Sequence, residues 1–295
     1  LILGGIWPEQ AAAVLENDLT PVICRMDSAE ALDSLAREHS RRQKIHIKID
    51  TGMGRIGVPF SQVGEFAQAI AQFKNIEVEG LMTHFASADD LSQSDFTNFQ
   101  IDRFGSAVET FADVGIRPAI LDLANSPASV AFPRSRSGLV RLGGILYGLG
   151  GDILPNVPLP ELKPVLSVTS EVGFLKEVSA GESLGYGRTF AAQRDSIIAT
   201  VPIGYADGYP RVLSNKGEMI VLGKKAPVVG RVSMDWTILD VTHIQTVEVG
   251  TKVTVIGRDG VECISAEDLA ADADTISYEI TCGFSRRVAR RFGQE

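Results

Sequence analysis

The segment HIKIDTGMGRIG, residues 46–57, is an alternating apolar run that enters two glycines one residue apart, Gly52 and Gly54, and then Arg55. A strand that only had to turn could use Asn-Gly or Pro-Gly. Paired glycines imply instead a backbone approached closely, with Arg55 beside the point of approach. A strand ending in such a polar loop suits a parallel βα fold, where function collects at strand C-terminal ends.

The same rhythm recurs on both sides. Strand-like runs are LILGG, TPVIC, IHIKID, EVEGLMTHF, AILDLA and LVRLGGILYG, and helix-like patterns cover 8–17, 28–39, 61–73, 95–113 and 126–132. Asp27 is the expected N-cap of the second helix, with Glu30 three residues on. Repeated βα units predict a parallel sheet with helical crossovers over 1–160, so the expected class is α/β; closed into a barrel, they would put function at the strand C-terminal ends. The apolar opening LILGG reads as a buried strand, as though the chain began inside that domain. Gly150 to Pro164 (GGDILPNVPLPELKP) concentrates Gly and Pro as a linker does. Beyond it the period shifts to two, in VLSVTSEVGFLKEV, SIIATVPIG, EMIVLG, APVVGRVSMDWTILDV and TKVTVIGRDG, which predicts a mainly β domain over 165–295.

With 295 residues, 44% hydrophobic and 22% charged, the chain can bury a sizeable core. A net charge of −9 argues against nucleic acid or an anionic membrane as partner, since phosphate binding needs clustered cations. The one basic run, FSRRVARRFGQE, reads as a solvated helix face. No apolar stretch nears the ~20 residues that span a bilayer, and the first residues lack the charged region and cleavage site of a secretory leader. Cys24, Cys263 and Cys282 are far apart and show no CxxC spacing. They fit a reducing cytoplasm and no metal site.

In the first half, polar residues gather where strands end: Arg55, His84 of LMTH, Asn125 and Ser126 of LDLANS, and Arg141 of RLGG. Each also has an ordinary structural reading: His84 as a satisfied core histidine, Ser126 as an N-cap, Arg141 as a surface ion-pair partner. Their shared position favours one pocket. Ser126 and the glycines of RLGG could present a hydroxyl and amides to a phosphate. In the second half, GESLGYGRTF, PIGYADGYPR and GRVSMDWT place tyrosines between glycines, where they either pack a ring or present a phenol. A phenol works as acid or base once cations lower its pKa.

Taken together, KIDTGMGRIG, GLMTHFASAD, ANSPAS, VRLGGILYG, LGYGRTF, IGYADGYPR, GRVSMDW and SYEITCGFSRR resemble the bacterial alanine racemases, in family order and spacing along essentially the whole chain. The resemblance implies a (β/α)8 TIM-type barrel over 1–160, incomplete at its N-terminus, followed by the β domain, and an isomerase that interconverts L- and D-alanine by two-base proton transfer on a pyridoxal-phosphate aldimine. It also implies a cytoplasmic homodimer with shared active sites that supplies D-alanine for peptidoglycan. By the resemblance, Arg55 reaches the phenolate side of the cofactor and the substrate carboxylate. Lys48 matches a lysine that some members carbamylate, and equally reads as an unmodified strand residue. Asn125, Ser126, Gly143, Gly144 and Tyr278 match the phosphate cradle, and Arg141 the partner of the pyridine nitrogen. Tyr186 matches the catalytic tyrosine of the partner subunit, and His84 the histidine linked to Arg141. Tyr205 and Tyr209 fall where the substrate entrance narrows, and Met234 and Asp235 where the substrate carboxylate is bordered. Ser233 stands where many members have cysteine.

The family's Schiff-base lysine lies in an N-terminal strand-end motif that no segment here matches. Lys44, Lys48, Lys74, Lys163, Lys176, Lys216, Lys224, Lys225 and Lys252 match other positions or none. The resemblance therefore places roughly 80 family residues, with the first barrel strands, before Leu1, in line with about six strand-like runs here against the eight of a barrel. Two alternatives stay open: a racemase of this fold acting on serine or a broader set of amino acids, and a truncated, non-catalytic protein of the same fold.

Overall fold

A computed structural model describes residues 1–154, 157 and 159–293. The chain divides into two compact units, one built mainly from Leu1–Gly143, the other mainly from Pro160–Glu295 with the turn that begins at Gly144.

In the first unit, strands β1 (Val22–Ile23), β2 (Gln43–Asp50), β3 (Val58–Pro59), β4 (Ile76–Met82), β5 (Ile120–Ala124) and β6 (Leu139–Val140) form one parallel sheet. Its order is β1-β2-β4-β5-β6, with the short β3 also on β2. Helix α1 (Ala11–Glu16) precedes β1, and helices α2 (Met26–Glu38), α3 (Val63–Ile70), α4 (Ser94–Asp113) and α5 (Ser126–Ala131) connect the strands. This is the parallel βα architecture expected of the barrel domain.

The alternation in β2 explains its two faces. Ile45, Ile47 and Ile49 are fully buried and join the core formed with Leu32 of α2, Ile70 of α3 and Phe104 and Phe111 of α4. Each such side chain stabilises the fold by about 1.5–3 kcal/mol through the apolar surface it withdraws from water. The intervening His46 and Lys48 point to the opposite face. The register sets Lys48 beside Met82 and Met82 beside Asp122, so these three form one row across β2, β4 and β5. One row below, His46 lies beside Gly80. A Cβ on Gly80 would come within 2.5 Å of the His46 ring, so the glycine is what leaves room for the imidazole.

Several expectations need correction. LILGG supplies only a bridge from Ile2 to Pro21, and Leu1 and Leu3 are 48% and 47% exposed, so it is not a buried strand. Helix α2 begins at Met26 with Arg25 as N-cap, while Asp27 sits inside the first turn, paired with Arg25 and the Ser28 amide. Of LVRLGGILYG only Leu139–Val140 is strand, extended by one bond from Arg141 N to Ala124 O. Gly144–Tyr147 is then a 3-10 turn.

The second unit contains three antiparallel assemblies. Its strands are β7 (Val168–Glu171), β8 (Phe174–Val178), β9 (Ser183–Leu184), β10 (Phe190–Ala191), β11 (Ser196–Val201), β12 (Glu218–Val221), β13 (Lys224–Pro227), β14 (Thr237–Asp240), β15 (Lys252–Asp259) and β16 (Glu262–Ile264). One sheet runs β14-β11-β8, a second β13-β12-β15-β16 with β7 on β15, and β9 pairs with β10. Val201, Met219, Ile220, Leu239, Val253 and Val255 lie in a common core. The expected mainly β organisation holds, with two helices that alternation did not reveal: α6 (Ala266–Ala273) and α7 (Ser277–Gly283). Ser265 and Asp268 close a capping box at the start of α6. The basic C-terminal run is not a helix face across its described part. Helix α7 stops at Gly283, and Arg290 turns back to donate to the carbonyls of Phe284, Ser285 and Val288. Pro155, Asn156 and Pro158 of the expected linker, and Gln294 and Glu295 of the basic run, lie outside the described residues.

Candidate active site at the strand ends

The loop after β2 is organised by Asp50, whose carboxylate accepts the amides of Gly52 and Gly54 at 3.0 Å each. Both glycines have positive φ, 145° and 70°, a conformation that side chains resist. At Gly52 the close approach is made by the protein itself, since a Cβ there would stand 2.8 Å from the Phe96 ring. Gly57 packs its backbone against its own strand, with Asp50 N only 2.7 Å from where a Cβ would be. The glycines therefore serve loop geometry and internal packing, and Arg55 emerges exposed from the result.

Behind this loop lies a buried polar layer. Thr51 Oγ1 and Thr83 Oγ1 are 2.7 Å apart, and Thr83 donates to the Ile49 carbonyl. Gln100 of α4, fully buried, donates to Thr51 Oγ1 and to the His84 carbonyl and accepts the Ala86 amide. One side chain thus ties α4 to the ends of β2 and β4.

Arg141 is the centre of the site. Its side chain is 11% exposed and pairs through Nη1 with Asp122, which is completely buried. Its Nη2 donates to the carbonyls of Thr83 (2.8 Å) and Leu123 (3.1 Å) and lies 3.3 Å from His84 Nδ1. Burial, then the charges of Arg141, Lys48 and Arg55, push the His84 imidazole down to about 4, so it is neutral near pH 7. Its Nδ1 therefore serves as an acceptor for the guanidinium. Lys48, 4% exposed, is shifted below the usual lysine range by burial and then by the charges of Arg55 and Arg141. Asp122 is pushed up to about 6 by burial, against the pull of Arg141. That carboxylate was missed from the sequence. The available signal was a lone charge in AILDLA, alternating with Leu121 and Leu123.

The Ser126 hydroxyl oxygen accepts the Gly143 amide at 2.8 Å, leaving its proton to donate elsewhere. Asn125 caps α5 by accepting the Ala128 amide, so its oxygen is committed and only its amide NH2 remains for a ligand. Gly144 lies in the other unit, where a Cβ would fall 1.8 Å from the Tyr278 ring. Contact with that ring accounts for the glycine.

The remaining candidates are in the second unit. Tyr186 is 70% exposed in a turn between Gly185 and Gly187, both at φ 72°. Tyr205 is 44% exposed, and its amide donates to the Ser233 carbonyl, while the Ala206 amide donates to that of Met234. Met234 is itself exposed. The Asp235 carboxylate is held by Arg287 at 2.7 Å. Tyr209 is completely buried in the core, which corrects its placement at a substrate entrance. Among the described residues, no three His, Cys, Asp or Glu side chains are grouped to hold a metal ion. None of the described helices is long and apolar enough to cross a membrane.

Comparison with known proteins agrees along the whole chain. Residues 1–150 match the family described as alanine racemase, N-terminal domain, and 165–292 the alanine racemase, C-terminal domain. An alanine racemase of Geobacter sp. (strain M21) is 45% identical over 298 residues, covering 99% of this chain and 78% of its own. The crystal structure of alanine racemase from Bacillus anthracis with bound L-Ala-P is 36% identical, with a TM-score of 0.86, over 97% of this chain and 73% of its own. That of Bartonella henselae, with covalently bound pyridoxal phosphate, is 29% identical at a TM-score of 0.86, over 98% and 77%. The fold, the two family matches and these relatives agree, and the chain belongs to the alanine racemase family.

Proposed function

We propose that the protein interconverts L- and D-alanine with pyridoxal phosphate as cofactor. The observation that carries this is the buried Arg141 cluster at the strand ends. Of the five guanidinium N–H groups, Nη1 gives one to Asp122 and Nη2 serves neutral acceptors. Nε and the second Nη1 proton have no acceptor among the described residues. A fixed pair of donors beside a neutral histidine fits an unprotonated ring nitrogen. In the first unit the Ser126 hydroxyl proton and the Asn125 amide suit a phosphate; that Gly143, Gly144 and Tyr278 join them is what the family resemblance implies.

When bound, the cofactor would supply an electron sink for the charge left as the substrate Cα–H bond breaks. Arg141 does not give up its proton, so it limits how much of that charge the ring draws in and disfavours transamination. Arg55, with Met234 and Asp235, borders the substrate carboxylate, and Tyr205 restricts the side chain to a small group. The Lys48 amine, buried and beside two arginines, is disposed toward its neutral, nucleophilic form, which is what capture of carbon dioxide as a carbamate needs. The carbamate would be an anionic partner for Arg55. Racemisation needs a proton removed on one face and returned on the other, and the Tyr186 phenol is one of these carriers, supplied by the partner in a homodimer. The barrel domain over 1–160 would bind the cofactor, and the β domain over 165–295 would supply the phenol. The three separated cysteines fit a reducing, cytoplasmic site of D-alanine supply for peptidoglycan.

Chiral chromatography of L-alanine incubated with the full-length protein and pyridoxal phosphate tests this proposal. D-alanine should accumulate to parity, and Tyr186→Phe should slow it roughly 100-fold or more, as expected for loss of a general acid–base. Absence of D-alanine would overturn the proposal.

A further inference from the structure

We infer that Asp122 is a positioning residue for this reaction: it fixes the Arg141 guanidinium and compensates its charge where Arg141 donates toward the cofactor ring nitrogen. The inference rests on the assignment of Arg141 to pyridoxal phosphate. Asp122 is completely buried on β5, in the row shared with Met82 and Lys48. One carboxylate oxygen takes Arg141 Nη1, while the other, Oδ2, is buried with no hydrogen-bond partner among the described residues. Thr83 O, Leu123 O and His84 Nδ1 already aim Nη2. What Asp122 alone adds is a negative charge.

Stability does not account for that choice. A buried acceptor left without a donor is costly, and a neutral side chain could accept from Nη1 with less desolvation. The charge has a use at the ring. With Asp122 ionised the pair is neutral overall, so the N–H aimed at the ring nitrogen is a weaker electron-withdrawing donor than a lone guanidinium. Less charge is drawn into the ring, and protonation returns to Cα. With Asp122 neutral, Arg141 is uncompensated, more charge enters the ring, and protonation on the cofactor competes. Lys48 and Arg141 are the charged groups acting on Asp122, and His84 beside them is already neutral.

The experiment compares native and Asp122→Asn full-length proteins loaded with pyridoxal phosphate. Asparagine keeps the shape and an acceptor for Nη1 but removes the charge. Pyruvate and pyridoxamine phosphate formed per racemisation turnover should rise roughly tenfold, the effect of about one pKa unit of donor strength. The pH titration of the cofactor's visible band should shift with it, and Asp122→Glu should restore both. A folded Asp122→Asn protein with native partition and native titration would overturn the inference. If that variant does not fold, the native protein carries the test. Its transamination share should climb between about pH 8 and about pH 5 as Asp122 takes a proton, and a flat profile would overturn the inference. A native protein that neither binds pyridoxal phosphate nor racemises alanine would instead refute the proposed function, before any variant is compared.

Discussion

His84 and Asp122 titrate in opposite senses on the two sides of Arg141, and this gives the fold a measurable pH signature. His84 falls from 6.5 to about 4 on folding, so the unfolded chain binds more protons between these values. Its contribution to stability is present above 6.5 and is lost as pH falls toward 4. Asp122 rises from 3.8 to about 6, so the folded chain holds the extra proton there and stability declines as pH rises through that window. The two oppose each other between about 4 and 6. Denaturation of Asp122→Asn across this range should therefore show stability rising more steeply with pH than in the native protein, and His84→Asn the reverse; parallel curves for all three would contradict the shifts. Gly80 offers a steric test. Gly80→Ala places a methyl against the His46 ring and should cost roughly 1–3 kcal/mol by overpacking. His46→Ala in the same chain should return part of that, with the coupling read from a double-mutant cycle. His84 and Arg141 were legible in the sequence because they end strand-like runs. Asp122 and Gly80 were not, because their meaning depends on which residue lies across the strand.

At the scale of elements, the βα rhythm was legible because α2, α3 and α4 each bury an apolar face and β2 alternates cleanly. Ends were less so. Asp27 looked like an N-cap by residue type, yet its carboxylate is held by Arg25 inside the first turn. Helices α6 and α7 were obscured by the strand pattern around them, although Ser265 and Asp268 mark the start of α6. The element-level link that no periodicity displays is Gln100, joining α4 to two strand ends. Gln100→Leu would leave the Ala86 amide without its acceptor and the His84 carbonyl without its donor, and should cost about 1–3 kcal/mol of stability by urea denaturation. It should also lower racemisation, because Thr51 and His84 flank the site; a variant of native stability and rate would show that the tie is dispensable.

At the scale of the molecule, each unit has its own apolar core, and the proposed site residues are divided between the units. Motif order could convey that division but not its stoichiometry. If active sites are shared in a homodimer, Arg141→Ala and Tyr186→Phe chains, each inactive alone, should regain about a quarter of native activity when mixed as random dimers. No recovery on mixing would place both groups in one chain's site. The central claim, proton exchange at Cα with inversion, is tested most directly by incubating L-alanine with the full-length protein and pyridoxal phosphate in deuterium oxide. Mass spectrometry after chiral separation should find deuterium at Cα in the D-alanine product and, with time, in the recovered L-alanine. Alanine that keeps both its configuration and its Cα hydrogen would contradict the account.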